Sequence, residues 1–346
     1  MMKLPFVACM SKKILLLLSL ILFIGSQPIL AQLGLTPVAT SVESSFRGLS
    51  VVDDNVAWVS GSKGTVGITV DGGSTWRFTI VPEHDASDFR SIYAFDERKA
   101  VIANVGSPGH ILVTNDSGKS WQVVYTNSHE AAFIDGVDFW DKSNGLMYGD
   151  PIDGKMLVIM TSDGGSTWQE LPGPVLAEGE ASFAASGTGI RCYAKDKVMI
   201  STGGLTSRLW NGQPARGVWS AIEVPVVQGQ PATGIYSFAI KSRLLVAVGG
   251  DYTKPEASEK QSLLSTDFGK RWADSNTPTR GYRECVEWID NNRLLDVGPT
   301  GMDVSNDRGI NWQPLNDEKG YHVVRKARKG SLIVAAGAKG QIAIIK

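Results

Sequence analysis

The apolar residues of this chain fall into short runs cut every few positions by glycine, aspartate or asparagine. One stretch runs Phe46-Arg47-Gly48-Leu49-Ser50-Val51-Val52, turns at Asp53-Asp54-Asn55, continues as Val56-Ala57-Trp58-Val59-Ser60-Gly61, and returns through Gly64-Thr65-Val66-Gly67-Ile68. Branched and aromatic residues punctuated in this way predict short antiparallel strands joined by tight turns. Comparable openings stand at Phe89-Arg90-Ser91-Ile92, Phe133-Ile134-Asp135-Gly136, Ser182-Phe183-Ala184, Ile235-Tyr236-Ser237-Phe238, Tyr282-Arg283-Glu284-Cys285 and Tyr321-His322-Val323-Val324. Seven openings predict seven units of one kind.

A second pattern gives the period. Ser/Thr-x-Asp-x-Gly-x-Thr/Ser-Trp occurs with Asp71, Gly73 and Trp76, again with Asp116, Gly118 and Trp121, and again with Asp163, Gly165 and Trp168. Looser copies hold Asp267, Gly269 and Trp272, and Asp307, Gly309 and Trp312, while Trp219 stands in an eroded copy without its aspartate. Successive tryptophans lie 40–53 residues apart, the length of a four-stranded propeller blade. Within each copy the aspartate is expected to hold backbone N–H groups two residues on, the glycine to supply positive φ, and the hydroxyl to brace the turn. The tryptophan then buries its ring between blades. The predicted fold is an all-β, seven-bladed propeller of four-stranded antiparallel blades. Its seventh unit ends at Ile345 without a box, so residues 35–42 are expected to supply the missing strand and close the ring.

Composition narrows the function. The whole chain carries a net charge of −1 with 34 basic and 35 acidic residues, and no basic run offers a nucleic-acid surface. Lys12 and Lys13 precede an apolar run that leads to Ala31, the layout of a secretory leader cleaved after that residue. Residues 1–31 are therefore expected to be a signal peptide and residues 32–346 one exported domain, periplasmic or extracellular, with no transmembrane segment and monomeric. Cys192 and Cys285 could pair in an oxidising compartment, but they sit about two repeats apart and are expected at strand positions as free thiols, and the four histidines lack ligand spacing. No dinucleotide fingerprint, haem motif or metal set is present, so no cofactor is expected.

The repeats match the Asp-box, or bacterial neuraminidase, repeat of sialidases and sortilin-type receptors. Phe46-Arg47-Gly48-Leu49-Ser50 followed by Trp58-Val59-Ser60-Gly61-Ser62-Lys63-Gly64-Thr65-Val66 resembles the blade opening of the photosystem II assembly and stability factor family. The segments at 179–188 and 249–255 resemble a non-photosynthetic bacterial branch of it. The resemblance implies a seven-bladed scaffold and, in photosynthetic members, a role binding a partner protein during assembly.

The boxes themselves are expected to be structural, and chemistry is expected where inner strands meet the mouth of the channel. The candidates are Arg47, Arg90, Asp135, Asp150, Glu180, Asp251, Tyr282 and Arg283. In a binding scaffold, Arg47, Arg90, Arg283 and Asp150 would meet a protein or glycan partner in the cell envelope. In the alternative, a sialidase-like glycosidase, the three arginines would hold the substrate carboxylate, Tyr282 would be the nucleophile, Glu180 its base, and Asp150 or Asp251 the proton donor. Asp150-Pro151 and Asp153-Gly154 read as turn residues. Residues 203–214 and 252–261 read as insertions that lengthen blades four and five, and long loops on a rigid ring are where recognition concentrates.

Overall fold

A computed structural model describes Met1 and residues 33–346. Apart from Met1, the expected leader lies outside the described residues. Gly34–Lys346 form one compact unit built from seven antiparallel sheets. Blade 1 comprises Phe46–Val51, Ala57–Gly61, Thr65–Thr69 and Arg77–Ile80 in that order from the channel outward. Blades 2 to 6 begin with inner strands Phe89–Ala94, Ile134–Phe139, Ile190–Ala194, Thr233–Lys241 and Cys285–Trp288, and blade 7 with Tyr321–Lys326. The second strand of each blade is largely buried because blades stack on either side of it; Ala57–Gly61 and Ala100–Asn104 are buried throughout. Hydrophobic clusters accordingly straddle neighbouring blades, as where Val66 and Ile68 of blade 1 meet Phe89 and Ile92 of blade 2.

The ring closes as the sequence predicts. Leu35–Val38 pairs with Ile342–Ile345 in the register Leu35 to Ile345, giving blade 7 its outer strand. The side chains of this strand are exposed or half-buried, so the closure rests mainly on its ladder. Cys192 and Cys285 lie on the inner strands of blades 4 and 6 as free thiols. Among the described residues no helix is long and apolar enough to cross a membrane.

The five boxes share one hydrogen-bond plan. In the first, Thr69 Oγ1 donates to Asp71 Oδ1 (2.8 Å) and accepts the Gly73 N–H (3.0 Å), while Asp71 accepts the Thr75 N–H (2.9 Å) and hydroxyl (2.6 Å). The aspartate thus reaches four residues on, not the expected two. Gly73, with φ 87°, leaves no room for a Cβ, which would lie 2.4 Å from Ile344 of blade 7. Gly165 is likewise set against Val101 of blade 2, at 2.6 Å from its would-be Cβ. The left-handed backbone favours glycine, and the neighbouring blade crowds a would-be Cβ at both positions.

Blade 4 departs from expectation. Its inner strand is Ile190–Ala194, not the run at Ser182-Phe183-Ala184. Glu180–Ala181 instead pairs with Gly203–Gly204, which extends the sheet of blade 5. Residues 203–214 are not an insertion either, since Arg208–Gln213 is the third strand of blade 4. The extra length lies between Leu171 and Ile190. Around Trp219 the missing box is replaced by a 3-10 turn at Pro214–Arg216 and Gly217 at φ 62°. Asp150 belongs to the strand Gly145–Ile152, and only Asp153-Gly154 forms the turn.

Candidate functional site

All seven inner strands run the same way along the channel, so the molecule has two unlike mouths. One gathers the starts of the inner strands, and the other gathers their ends on the face that also carries the boxes.

At the start-side mouth the chain fills its own channel. Residues 182–189, Ser-Phe-Ala-Ala-Ser-Gly-Thr-Gly, cross the opening and bond to five other blades. The Ser182 N–H donates to Asp150 Oδ1 on blade 3 (2.9 Å), and the Ala185 carbonyl accepts Arg47 Nη1 from blade 1 (2.7 Å). Ser186 Oγ donates to the Glu284 carbonyl entering blade 6 (2.7 Å), and Thr188 Oγ1 to Ser237 Oγ of blade 5 (2.7 Å). The Gly187 carbonyl accepts Arg325 Nη2 of blade 7 (3.5 Å). Small side chains let the segment enter, and Ala184, Ala185, Ser186 and Thr188 are buried there.

The arginine cluster expected from the sequence does not form. Arg47 joins Glu284 Oε2 (3.1 Å), which also meets His322 Nδ1 (2.6 Å). Arg90 pairs with Asp88 (2.7 Å). Arg283 is fully buried inside blade 6, bonded to Asp296 Oδ1 (2.5 Å), Asp303 and Thr300. Tyr282 is 2% exposed beside Tyr236, and burial raises its hydroxyl well above the ordinary range, the opposite of an activated nucleophile. Its expected base, Glu180, is 1% exposed and committed to blade 4, where it accepts from Arg208, Thr202, Trp210 Nε1 and the Ala177 N–H. Burial would raise the Glu180 carboxyl, but these donors together hold it below its usual value. Asp251 accepts the Thr253 N–H (2.9 Å) and hydroxyl (2.6 Å) in a local turn.

The end-side mouth was not read from the sequence at all. Arg191 of blade 4 and Arg325 of blade 7 both reach Glu287 Oε2 of blade 6, each at 3.2 Å. Arg328 lies 4.4 Å above the Tyr93 ring and bonds to Ser50 Oγ (3.0 Å) and the Ala94 carbonyl. Asp138 accepts the Cys192 N–H (2.7 Å), and burial raises its carboxyl despite that bond and the two nearby arginines. Four cations, Arg191, Arg325, Lys326 and Arg328, thus surround two acids, Asp138 and Glu287. Nothing local marks these positions, because each arginine sits on a different strand or turn with no motif around it.

Beside this mouth, Trp140, Met160, Tyr193 and Pro214 line a cavity of about 410 Å³ between blades 3 and 4. Among the described residues no group of three His, Cys, Asp or Glu is arranged to hold a metal.

Seven four-stranded blades with these turns define an Asp-box β-propeller. The chain resembles the photosystem II assembly-factor propellers: residues 31–130 match the family model described as photosynthesis system II assembly factor YCF48. No curated protein matches it. The structure titled YCF48 bound to D1 peptide is 16% identical, with TM-score 0.63 over 90% of this chain and 96% of that one. YCF48 from Cyanidioschyzon merolae is 15% identical, with TM-score 0.62 over 90% of this chain and 98% of its own. The WD40 propeller domain of Doa1 is 12% identical, with TM-score 0.62 over 90% and 97%. At such identities the likeness is one of fold.

Proposed function

We propose that this chain is a non-catalytic scaffold that, after export to the cell envelope, binds a protein partner at the end-side mouth of its channel. The observation that carries the reading is the charge of that mouth, where Arg191, Arg325, Lys326 and Arg328 outnumber Asp138 and Glu287 on a rigid rim. Such a surface favours an acidic segment, and planar guanidinium groups bind carboxylates in pairs of hydrogen bonds. Three further points support the reading. A propeller of this shape carries a peptide in the YCF48 complex, the glycosidase residues are committed elsewhere, and the leader read at residues 1–31 favours export. A glycan partner is the second reading, favoured by the cavity between Trp140 and Tyr193, since aromatic rings pack against sugar faces.

The test is retention of envelope proteins by immobilised wild-type protein and by an Arg325→Glu, Arg328→Glu variant. A partner retained at low salt, released as salt rises and lost in the variant is the expected result. Turnover of fluorogenic glycosides that disappears in both Glu180→Gln and Tyr282→Phe would overturn the reading.

A further inference from the structure

The start-side face holds a cavity of about 400 Å³ between the loop at 130–133 and the Asp150-Pro151 edge of blade 3. Ala131, Ala132, Phe133 and Pro151 give it apolar walls, and the charged residues lining it, Glu130 and Asp150, are both acidic. Asp150 is half-buried and accepts one bond in the structure, from the Ser182 N–H at 2.9 Å to Oδ1.

Behind Asp150 lies a second carboxyl. Asp135 is fully buried with no side-chain donor on either oxygen, and the backbone N–H acting on it, that of Asp150, is given to the Phe133 carbonyl at 3.0 Å. The buried Tyr148 hydroxyl, close enough to feel both carboxyls, also lacks a partner. Arg90 acts on Asp135 from a distance, but its Nε is donated to Asp88. Buried carboxyl groups are ordinarily satisfied by donors or by a counter-charge, and this pair has only backbone amides near it, that of Ser182 on Asp150 and the shared one of Asp150 beside Asp135. Burial, and then the proximity of Asp150, pushes Asp135 well above the ordinary carboxylate range, and burial raises Asp150 as well. A cation placed in the cavity would meet Asp150 directly and would favour the charged form of both carboxyls, because an opposite charge nearby lowers a carboxyl's pKa.

The walls choose among cations. Calcium and magnesium take six or more oxygen ligands and zinc a set of three or four side chains, and among the described residues no group of three His, Cys, Asp or Glu is arranged to hold one. Methyl groups, a phenyl ring and a proline ring instead suit the methylene stem of a long side chain. We propose that this cavity is a subsite for a basic side chain, arginine or lysine, of a bound protein segment, with Asp150 as the ion-pair acceptor and Glu130 as the charge on the rim. The subsite rests on the scaffold reading and lies on the face opposite Arg325 and Arg328.

The experiment titrates the purified, isotopically labelled protein with acetyl-Gly-Ala-Arg-Ala-Gly-amide and with its citrulline twin, which keeps the shape and loses the charge. Backbone amide resonances of Ala131, Ala132, Phe133, Asp150 and Ala181 are followed. The arginine peptide is expected to move these resonances, and the citrulline peptide and Asp150→Asn each to weaken binding about ten-fold or more. Glu130→Gln, on the exposed rim where folding is not at stake, is expected to weaken it about three-fold. Equal response to the two peptides, shifts confined to other surfaces, or unchanged affinity in both variants would overturn the proposal. So would calcium chloride moving the same resonances in the absence of peptide, which would make the site a metal site. If the arginine peptide docks here but partner capture is indifferent to Arg325 and Arg328, the scaffold reading fails at its own mouth; partner capture without peptide docking removes the subsite alone.

Discussion

A hydroxyl, a carboxylate and a glycine carry each box turn, and the variants show which feature of each residue matters. Where the seventh position loses its hydroxyl, Arg271 Nε and Asn311 Nδ2 still donate to Asp267 and Asp307, at 2.8 and 2.7 Å. The position needs a donor and little else, so loose copies fold like strict ones. The first position is more demanding. Thr161 Oγ1, almost fully buried, both donates to Asp163 (2.9 Å) and accepts the Gly165 N–H (3.0 Å). Thr161→Val keeps the shape and strands a buried N–H, so it is expected to cost about 1–3 kcal/mol. Urea denaturation checks this: the midpoint should fall with an unchanged slope. An unmoved midpoint would mean that the turn is held by packing alone.

At the scale of elements, the strand Leu35–Val38 is the clearest case of sequence and structure agreeing. It was legible because the last blade visibly lacked a fourth strand and only one unassigned stretch could supply it. Its ladder is extended by the Gly34 N–H to the Lys346 carbonyl (2.6 Å) and the Lys346 N–H back to Gly34 (2.9 Å). Removing residues up to 42 is expected to lose a few backbone bonds worth about 1 kcal/mol each and to lower Tm by roughly 5–8 °C for a domain of this size. It also leaves Ile342–Ile345 as an open apolar edge, so size-exclusion chromatography should show oligomers. A monomer with unchanged Tm would refute this account of closure. The segment 182–189 is the opposite case. Phe183 between small residues looks like a strand opening, and only its bonds to distant blades reveal that it crosses the channel. The supposed insertion at 203–214 failed for a related reason, because a strand with glycines at its start reads as a loop when its partner strands are not in view.

For the whole molecule, two populations of carboxyls pull stability in opposite directions with pH. Hydrogen bonds from Ser120 and from Arg271 hold Asp116 and Asp267 at about 2, below the ordinary 3.8. Depressed groups of this kind contribute stability that is complete above the unfolded value and is lost as pH falls toward 2. Burial raises Asp135 well above 3.8 and Asp296 to about 8, the latter against the pull of Arg283. Raised carboxyls contribute stability below the unfolded value and lose it as pH climbs toward the folded one. The sum predicts greatest stability near pH 4–5, between the two populations. Urea midpoints measured from pH 2.5 to 8.5 test it, and Asp296→Asn should flatten the alkaline limb. A midpoint that rises steadily from pH 5 to 8 would contradict the assignment.

The sequence alone determined the blade, the box and the closure of the ring. Each follows from residues a few positions apart or from a period that repeats, so local chemistry suffices to read it. The candidate site was not legible in the same way. Arg47, Tyr282 and Arg283 lie at blade openings and Glu180 does not, and which partner each takes depends on contacts the chain makes only when closed. Arg47 meets a carbonyl 138 positions away, and Arg328 a hydroxyl 278 positions away. A propeller channel gathers one short strand from every blade, and no stretch of sequence contains those neighbours together. The ring therefore decided which mouth is filled, which is charged, and which carboxyls are left without side-chain donors.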